Sequence, residues 1–155
     1  MTFTSLLAFL LFVQAAPTTP EQFFLGRTDG QGTVRVMLSG SHDVRVQSRG
    51  RMDQSGALIL DQRVQEEGKP ARNRSWRLTR AGPNRITGTL SDARGPVTGT
   101  ISGNVLHLRY RSNEGPSVEQ WITFQPGGRV ANNRMTFRRF GLTVASVEEV
   151  IRRVD

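Results

Sequence analysis

The chain has 155 residues, no cysteine and a formal charge of +8. Nearly all of its positive charge is arginine, since Lys69 is the single lysine. The missing cysteine excludes a disulfide, a thiolate nucleophile, a Cys-based metal site and a lipid-anchored N-terminal cysteine, so a packed core must supply the stability.

The first charged residue is Glu21, and before it runs the apolar stretch Leu6-Leu7-Ala8-Phe9-Leu10-Leu11-Phe12-Val13. Such a run matches the core of a secretory signal and is too short to span a bilayer as a helix. Val13-Gln14-Ala15 puts small residues at the two positions a signal peptidase reads. Residues 1–15 are therefore expected to be a cleavable signal peptide, although no Lys or Arg precedes the run. A buried N-terminal strand or helix is the alternative. Residues 16–22, with Pro17-Thr18-Thr19-Pro20, read as a linker, and residues 23–155 as one domain.

Beyond the linker the pattern has period two. Val34, Val36 and Leu38 fall on one face, with Arg35 on the other. Val44 and Val46 alternate with Arg45 and Gln47, and Trp76 and Leu78 with Arg77 and Thr79. Ile86, Gly88 and Leu90 follow, then Val97, Gly99 and Ile101. Leu106, Leu108 and Tyr110 alternate with His107, Arg109 and Arg111, and the segments 118–124 and 135–140 complete the series. Alternation describes strands with one buried face and one wet face. Turn residues such as Asp29-Gly30-Gln31-Gly32, Asp53-Gln54-Ser55-Gly56, Gly103-Asn104 and Pro126-Gly127-Gly128 separate the runs at short spacing. The fold class expected is all-β: an up-and-down antiparallel β-barrel of nine to ten strands, because closure removes exposed edges. The C-terminus reads two ways. Ser146 to Glu149 has capping-box spacing, and Val147, Val150, Ile151 and Val154 follow helical spacing, yet the same stretch suits a last strand.

Catalytic motifs are sparse. His42 lies in a turn-like Gly40-Ser41-His42-Asp43, and His107 shares strand parity with Arg109 and Arg111. Neither has partners at metal-ligand spacing. The carboxylates are dispersed, no G-x-S-x-G elbow occurs, and no Gly-rich segment opens a helix. The chain is accordingly expected not to be an enzyme, with no catalytic residue, metal or cofactor. Arginines crowd the first half, from Arg45 to Arg80, but one Tyr and two Trp leave little to stack on bases, so nucleic acid is not expected. Attraction to an anionic membrane surface is the intermediate reading. The apolar face either fills the barrel or lines a cavity for a small apolar ligand, and Gly88 and Gly99 at inward parity would leave space.

From Phe23-Phe24-Leu25-Gly26-Arg27 through Arg74-Ser75-Trp76, Gly88-Thr89-Leu90-Ser91-Asp92, Gly103 to Tyr110, Trp121, Asn133-Arg134-Met135 and Arg139-Phe140-Gly141, the sequence resembles an uncharacterised proteobacterial envelope and lipoprotein family. That family is a domain of unknown function with a lipocalin-like (calycin) barrel. The resemblance spans nearly the whole chain after residue 22. It implies a barrel whose tail is a strand, and, by fold analogy, the binding of hydrophobic molecules. Two departures stand out. The family's lipidated Cys is missing, and Glu119-Gln120-Trp121-Ile122 replaces a pair of acidic residues before the Trp and a Met after it. An acidic pair doing chemistry in the family would be impaired here.

The function expected is non-catalytic binding or carriage of a lipid or other hydrophobic ligand in the periplasm. Export would be by the cleavable signal, without a lipid-anchor Cys. Trp76, Leu108 and Tyr110 are the candidates for contact with the apolar part. Asn104, Trp121 and Arg134 are the candidates for rim or support roles, with Arg134 able to meet an acidic head group. The alternative is an envelope structural or interaction protein with a filled barrel and a basic surface docking on anionic lipid. Partners expected are a hydrophobic small molecule or lipid and an anionic membrane surface. The chain is expected to be a monomer.

Overall fold

The computed structural model describes Leu11 and residues 15–155. The expected signal peptide therefore lies outside the described residues except for Leu11 and Ala15. A short helix, α1 (Pro20–Phe24), precedes ten strands: β1 (Gly26–Val36), β2 (Gly40–Met52), β3 (Leu58–Glu66), β4 (Arg72–Arg80), β5 (Arg85–Leu90), β6 (Ala93–Ser102), β7 (Val105–Ser112), β8 (Ser117–Phe124), β9 (Val130–Arg139) and β10 (Leu142–Arg153). Each strand pairs antiparallel with its neighbour in sequence, and β10 returns to β1, so the sheet closes with no free edge.

β10 settles the ambiguous C-terminus as a strand. Val34↔Val147 is one of nine register pairs with β1, and β9 pairs on the other side. A helix would leave both neighbours with unpaired backbone groups, so closure overrides the local helical spacing. Leu38 departs from its expected inward position. The chain turns after Val36, and Leu38 is fully exposed at φ 66°. His42, expected in a turn, belongs to β2 and faces inward opposite Val34. No free space remains at Gly99: a Cβ there would lie 2.8 Å from Leu108 Cδ2.

One barrel end is closed by α1. The helix starts within the stretch read as a linker, where Thr19 and Gln22 form a capping box (Gln22 N donates to Thr19 Oγ1 at 3.1 Å, Thr19 N to Gln22 Oε1 at 3.0 Å). Its Phe23 and Phe24 are buried and meet Phe124 at ring distances of 5.2 and 6.2 Å. Leu58, Leu60, Leu106 and Leu108 fill the barrel above them. Arg80 pairs with Glu21 at 2.7 Å, and Arg153 donates to the Gln22 and Leu25 carbonyls, clamping the helix from outside. Gly50 permits the close approach, because a Cβ there would lie 1.7 Å from the Phe24 carbonyl oxygen.

Candidate functional site

The opposite half of the barrel is open. A cavity of about 820 Å³ enters at the end carrying the β1–β2, β3–β4, β5–β6, β7–β8 and β9–β10 turns. Its walls are apolar, with Val34, Val36, Val64, Val147 and Phe137. Its rim is charged but largely paired. His42 Nε2 meets Glu66 Oε2 at 2.9 Å, Lys69 reaches the same carboxylate at 3.2 Å, and Arg72 bonds Asp92. Burial pushes the Glu66 carboxyl up, but its hydrogen bonds to His42 and Lys69 and the nearby charges of Lys69 and Arg72 outweigh this and hold it below the ordinary carboxylate range.

Arg74 and Tyr110 lie deeper. Arg74 shares inward parity with Trp76 and Leu78 on β4, so pleating turns its side chain into the barrel. Its Nε donates to Gln62 Oε1 at 2.6 Å, and its guanidinium carbon lies 5.8 Å from the centre of the Trp76 ring. Among the described residues no carboxylate lies within ion-pair distance of it. A guanidinium carries five N–H donors, of which only Nε–H is taken up here, and Arg74 is part of the cavity lining. Burial lowers the Arg74 pKa, yet arginine keeps its charge. Tyr110 stands edge-on to Trp76 at 5.6 Å, and burial pushes its hydroxyl up to about 12, so it remains a neutral donor.

Below this level runs a polar layer. Gln62 Oε1 also accepts from Trp76 Nε1 at 2.8 Å, and Gln62 Nε2 donates to Ser48 at 3.0 Å. Across the barrel, Asn133 Nδ2 donates to Glu149 Oε1 at 2.9 Å. Gln120 Oε1, Asn133 Oδ1 and Thr28 Oγ1 are buried without a partner. Gly30 makes room for Glu149, since a Cβ there would stand 2.4 Å from Oε2. Burial raises the Glu149 pKa above the ordinary carboxylate range, outweighing Asn133 and the more distant Arg74. The carboxyl best placed to balance Arg74 is thus itself pushed toward its neutral form.

The shift has a testable consequence. A carboxyl whose folded pKa is raised contributes stability below its unfolded pKa and loses it as pH rises through the folded value. Glu149→Gln should therefore match the wild type in acid and exceed it in alkali, by about 1–3 kcal/mol. Urea denaturation across pH checks this, and equal slopes of stability against pH for both proteins would contradict it.

The six residues singled out by sequence fall in three places. Trp76, Leu108 and Tyr110 point inward, and of these Tyr110 lines the cavity while Trp76 and Leu108 pack beneath it. Asn104 sits exposed in the β6–β7 turn at the closed end, donating to the Phe124 carbonyl at 3.1 Å. Trp121 and Arg134 lie on the outer wall. His107, Trp121 and Arg134 are register neighbours on β7, β8 and β9, with the two rings stacked at 4.8 Å and the Arg134 guanidinium 4.8 Å above the indole. That stack clamps three strands from outside and is separated from the cavity by the sheet. Arg74, Glu149, Gln120 and Asn133 were missed by sequence reasoning, although each shares parity with apolar neighbours known to face inward.

A family model described as "Protein of unknown function (DUF3833)" matches residues 13–153. No curated protein sequence matches the chain. Among the solved structures similar in fold are three with TM-scores of 0.65 to 0.68. The S-type phycobiliprotein lyase from Guillardia theta has a TM-score of 0.67 at 7% identity, over 87% of this chain and 90% of that one. The Rv2717c protein from M. tuberculosis gives 0.68 at 14%, over 88% and 99%. A protein of unknown function of the DUF3598 family from Nostoc punctiforme gives 0.65 at 14%, over 89% of this chain and 50% of that one. The lyase corrects one expectation. An enzyme carries this lipocalin-like architecture, so scattered carboxylates and isolated histidines are no ground for excluding catalysis.

Proposed function

We propose that the barrel of this chain, which belongs to the DUF3833 family of proteins of unknown function, takes up one amphipathic small molecule through its open mouth, apolar body against the valine wall and acidic head group inward. The observation that carries this reading is Arg74: a cation at the inner end of an apolar cavity, with no carboxylate partner among the described residues. An arginine in such a place is costly unless something anionic meets it. A carboxylate can take two parallel N–H donors from the guanidinium, with the Tyr110 hydroxyl as a further donor. The valine wall then covers the aliphatic part, and the cavity volume lies in the range of small-molecule sites.

The likeness to a phycobiliprotein lyase supports a barrel that handles a small molecule, at the level of fold. A long-chain carboxylate is the simplest molecule with the required chemistry. Titration with a fluorescent fatty acid is expected to saturate at one probe per chain, and hexadecanoate is expected to displace it. No saturable binding below the concentration at which the probe forms micelles would contradict the reading.

A further inference from the structure

At the mouth, the β1–β2 and β9–β10 hairpins stand side by side. β1 pairs with β10 up to Val36↔Ala145, and the Met37 amide donates to the Val144 carbonyl at 3.0 Å. Their tips are apolar and uncovered. Leu38 and Phe140 are 101% and 99% exposed, and Met37 and Leu142 beside them are exposed as well. Both tip residues sit at positive φ, 66° and 51°, and they are the only non-glycine residues to do so among the described residues. Left-handed backbone is unfavourable for a bulky L side chain, and an isolated leucine or phenylalanine in water gains nothing from burial. Two strained apolar tips therefore mark one end of a molecule whose other end is closed by a packed helix.

We propose that these tips insert into the surface of an anionic lipid bilayer, so that the barrel mouth faces the membrane. A protruding pair of side chains suits a soft interface of head groups and acyl chains. Apolar side chains at that depth, with cations around them, are the recognised combination for peripheral binding. Arg35 on β1 and Arg138 and Arg139 on β9 flank the tips, and neither Arg35 nor Arg138 makes an ion pair among the described residues. At the same end Glu66 and Asp92 are taken up by His42, Lys69 and Arg72. The other acidic side chains there are Asp43, Glu67 and Glu114, set against Arg35, Arg111, Arg138 and Arg139 in a chain of net charge +8. This surface does not depend on what the cavity holds.

Flotation with phosphatidylcholine vesicles, with and without phosphatidylglycerol, tests it. The wild type is expected to float with the anionic vesicles and to stay behind with the neutral ones. The variant L38N/F140N is expected to lose about 10-fold or more of its partitioning. Asparagine tolerates the left-handed conformation, so this variant should melt at or above the wild-type temperature, which shows that it is folded. R35Q/R138Q should lose about 5-fold for each charge removed. Failure of the wild type to float with anionic vesicles would overturn the proposal. So would a tip variant that floats like the wild type, or sedimentation showing a dimer that L38N/F140N dissolves.

Discussion

Replacing Arg74 by methionine is expected to weaken binding of a long-chain carboxylate by about 10–100-fold while leaving the empty protein as stable as before, or more so. The affinity loss follows from hydrogen bonds to a charged group, about 1.5–3 kcal/mol, with about 1.4 kcal/mol to each factor of ten. The stability follows from the cost of the arginine itself. Without a ligand its half-buried guanidinium has one hydrogen bond, to Gln62. Gln62 Oε1 keeps its bond from Trp76 Nε1 when Arg74 is lost, so the substitution strands no acceptor there. Methionine has a similar length, and apolar replacement of an imperfectly paired buried charge is often neutral or stabilising. A structural arginine would behave in the opposite way, with stability falling and ligand affinity holding. Thermal melting and probe displacement on the same preparation separate the two.

Phe23→Ala is expected to cost about 3–5 kcal/mol of folding stability, which lowers the melting temperature by about 10 °C. Phe23 is completely buried, and its ring meets Phe24 at 5.0 Å and Phe124 at 5.2 Å. No polar side chain could fill the volume left behind, because the barrel above is packed with leucines. If the helix is an integral stopper, Gly50→Ala must show the same direction of change, since a Cβ there collides with the Phe24 carbonyl oxygen. A loss below about 1 kcal/mol for Phe23→Ala would mean that the strands hold the barrel shut without the helix.

Much of this architecture was legible in the sequence. Alternation in Val34-Arg35-Val36, Trp76-Arg77-Leu78 and Leu106 to Tyr110 reported strands with one buried face, and closely spaced turn residues reported a meander that closes. Where local spacing and the closed barrel disagree, the long-range constraint wins. Val147, Val150 and Ile151 satisfy helical spacing locally, but β10 must pair with β1 and β9 across the barrel. Leu38 continues the parity of Val36, but the chain has already turned. The helix over Pro20–Phe24 announced itself by Thr19 and Gln22 at capping-box spacing and by a proline in its first turn, a signal masked by treating the prolines as linker.

The site was less legible for a different reason. Arginine is mostly a solvent-facing residue, so the inward parity that Arg74 shares with Trp76 is outweighed in the sequence by the plain alternation of Arg77. The same preference masks Glu149 between Val147 and Ile151, and Gln120 between Val118 and Ile122. Conversely, Trp121 and Arg134 belong to the motifs that carry the family resemblance, and parity with His107 places them on the outer wall. Polar residues at inward parity are the sequence signal of an internal site, and their partners become visible only when the barrel closes.

The central claim is that an acidic head group meets Arg74 inside the barrel. Carbon NMR of hexadecanoate labelled at its carboxyl carbon, bound to the protein and titrated with acid, tests it most directly. A guanidinium at hydrogen-bonding distance favours the ionised form, so the bound carboxyl resonance is expected to stay ionised well below the ordinary carboxylate range, and to lose that protection in Arg74→Met. A bound carboxyl that titrates as in water, or identically in both proteins, would place the head group at the mouth and contradict the account.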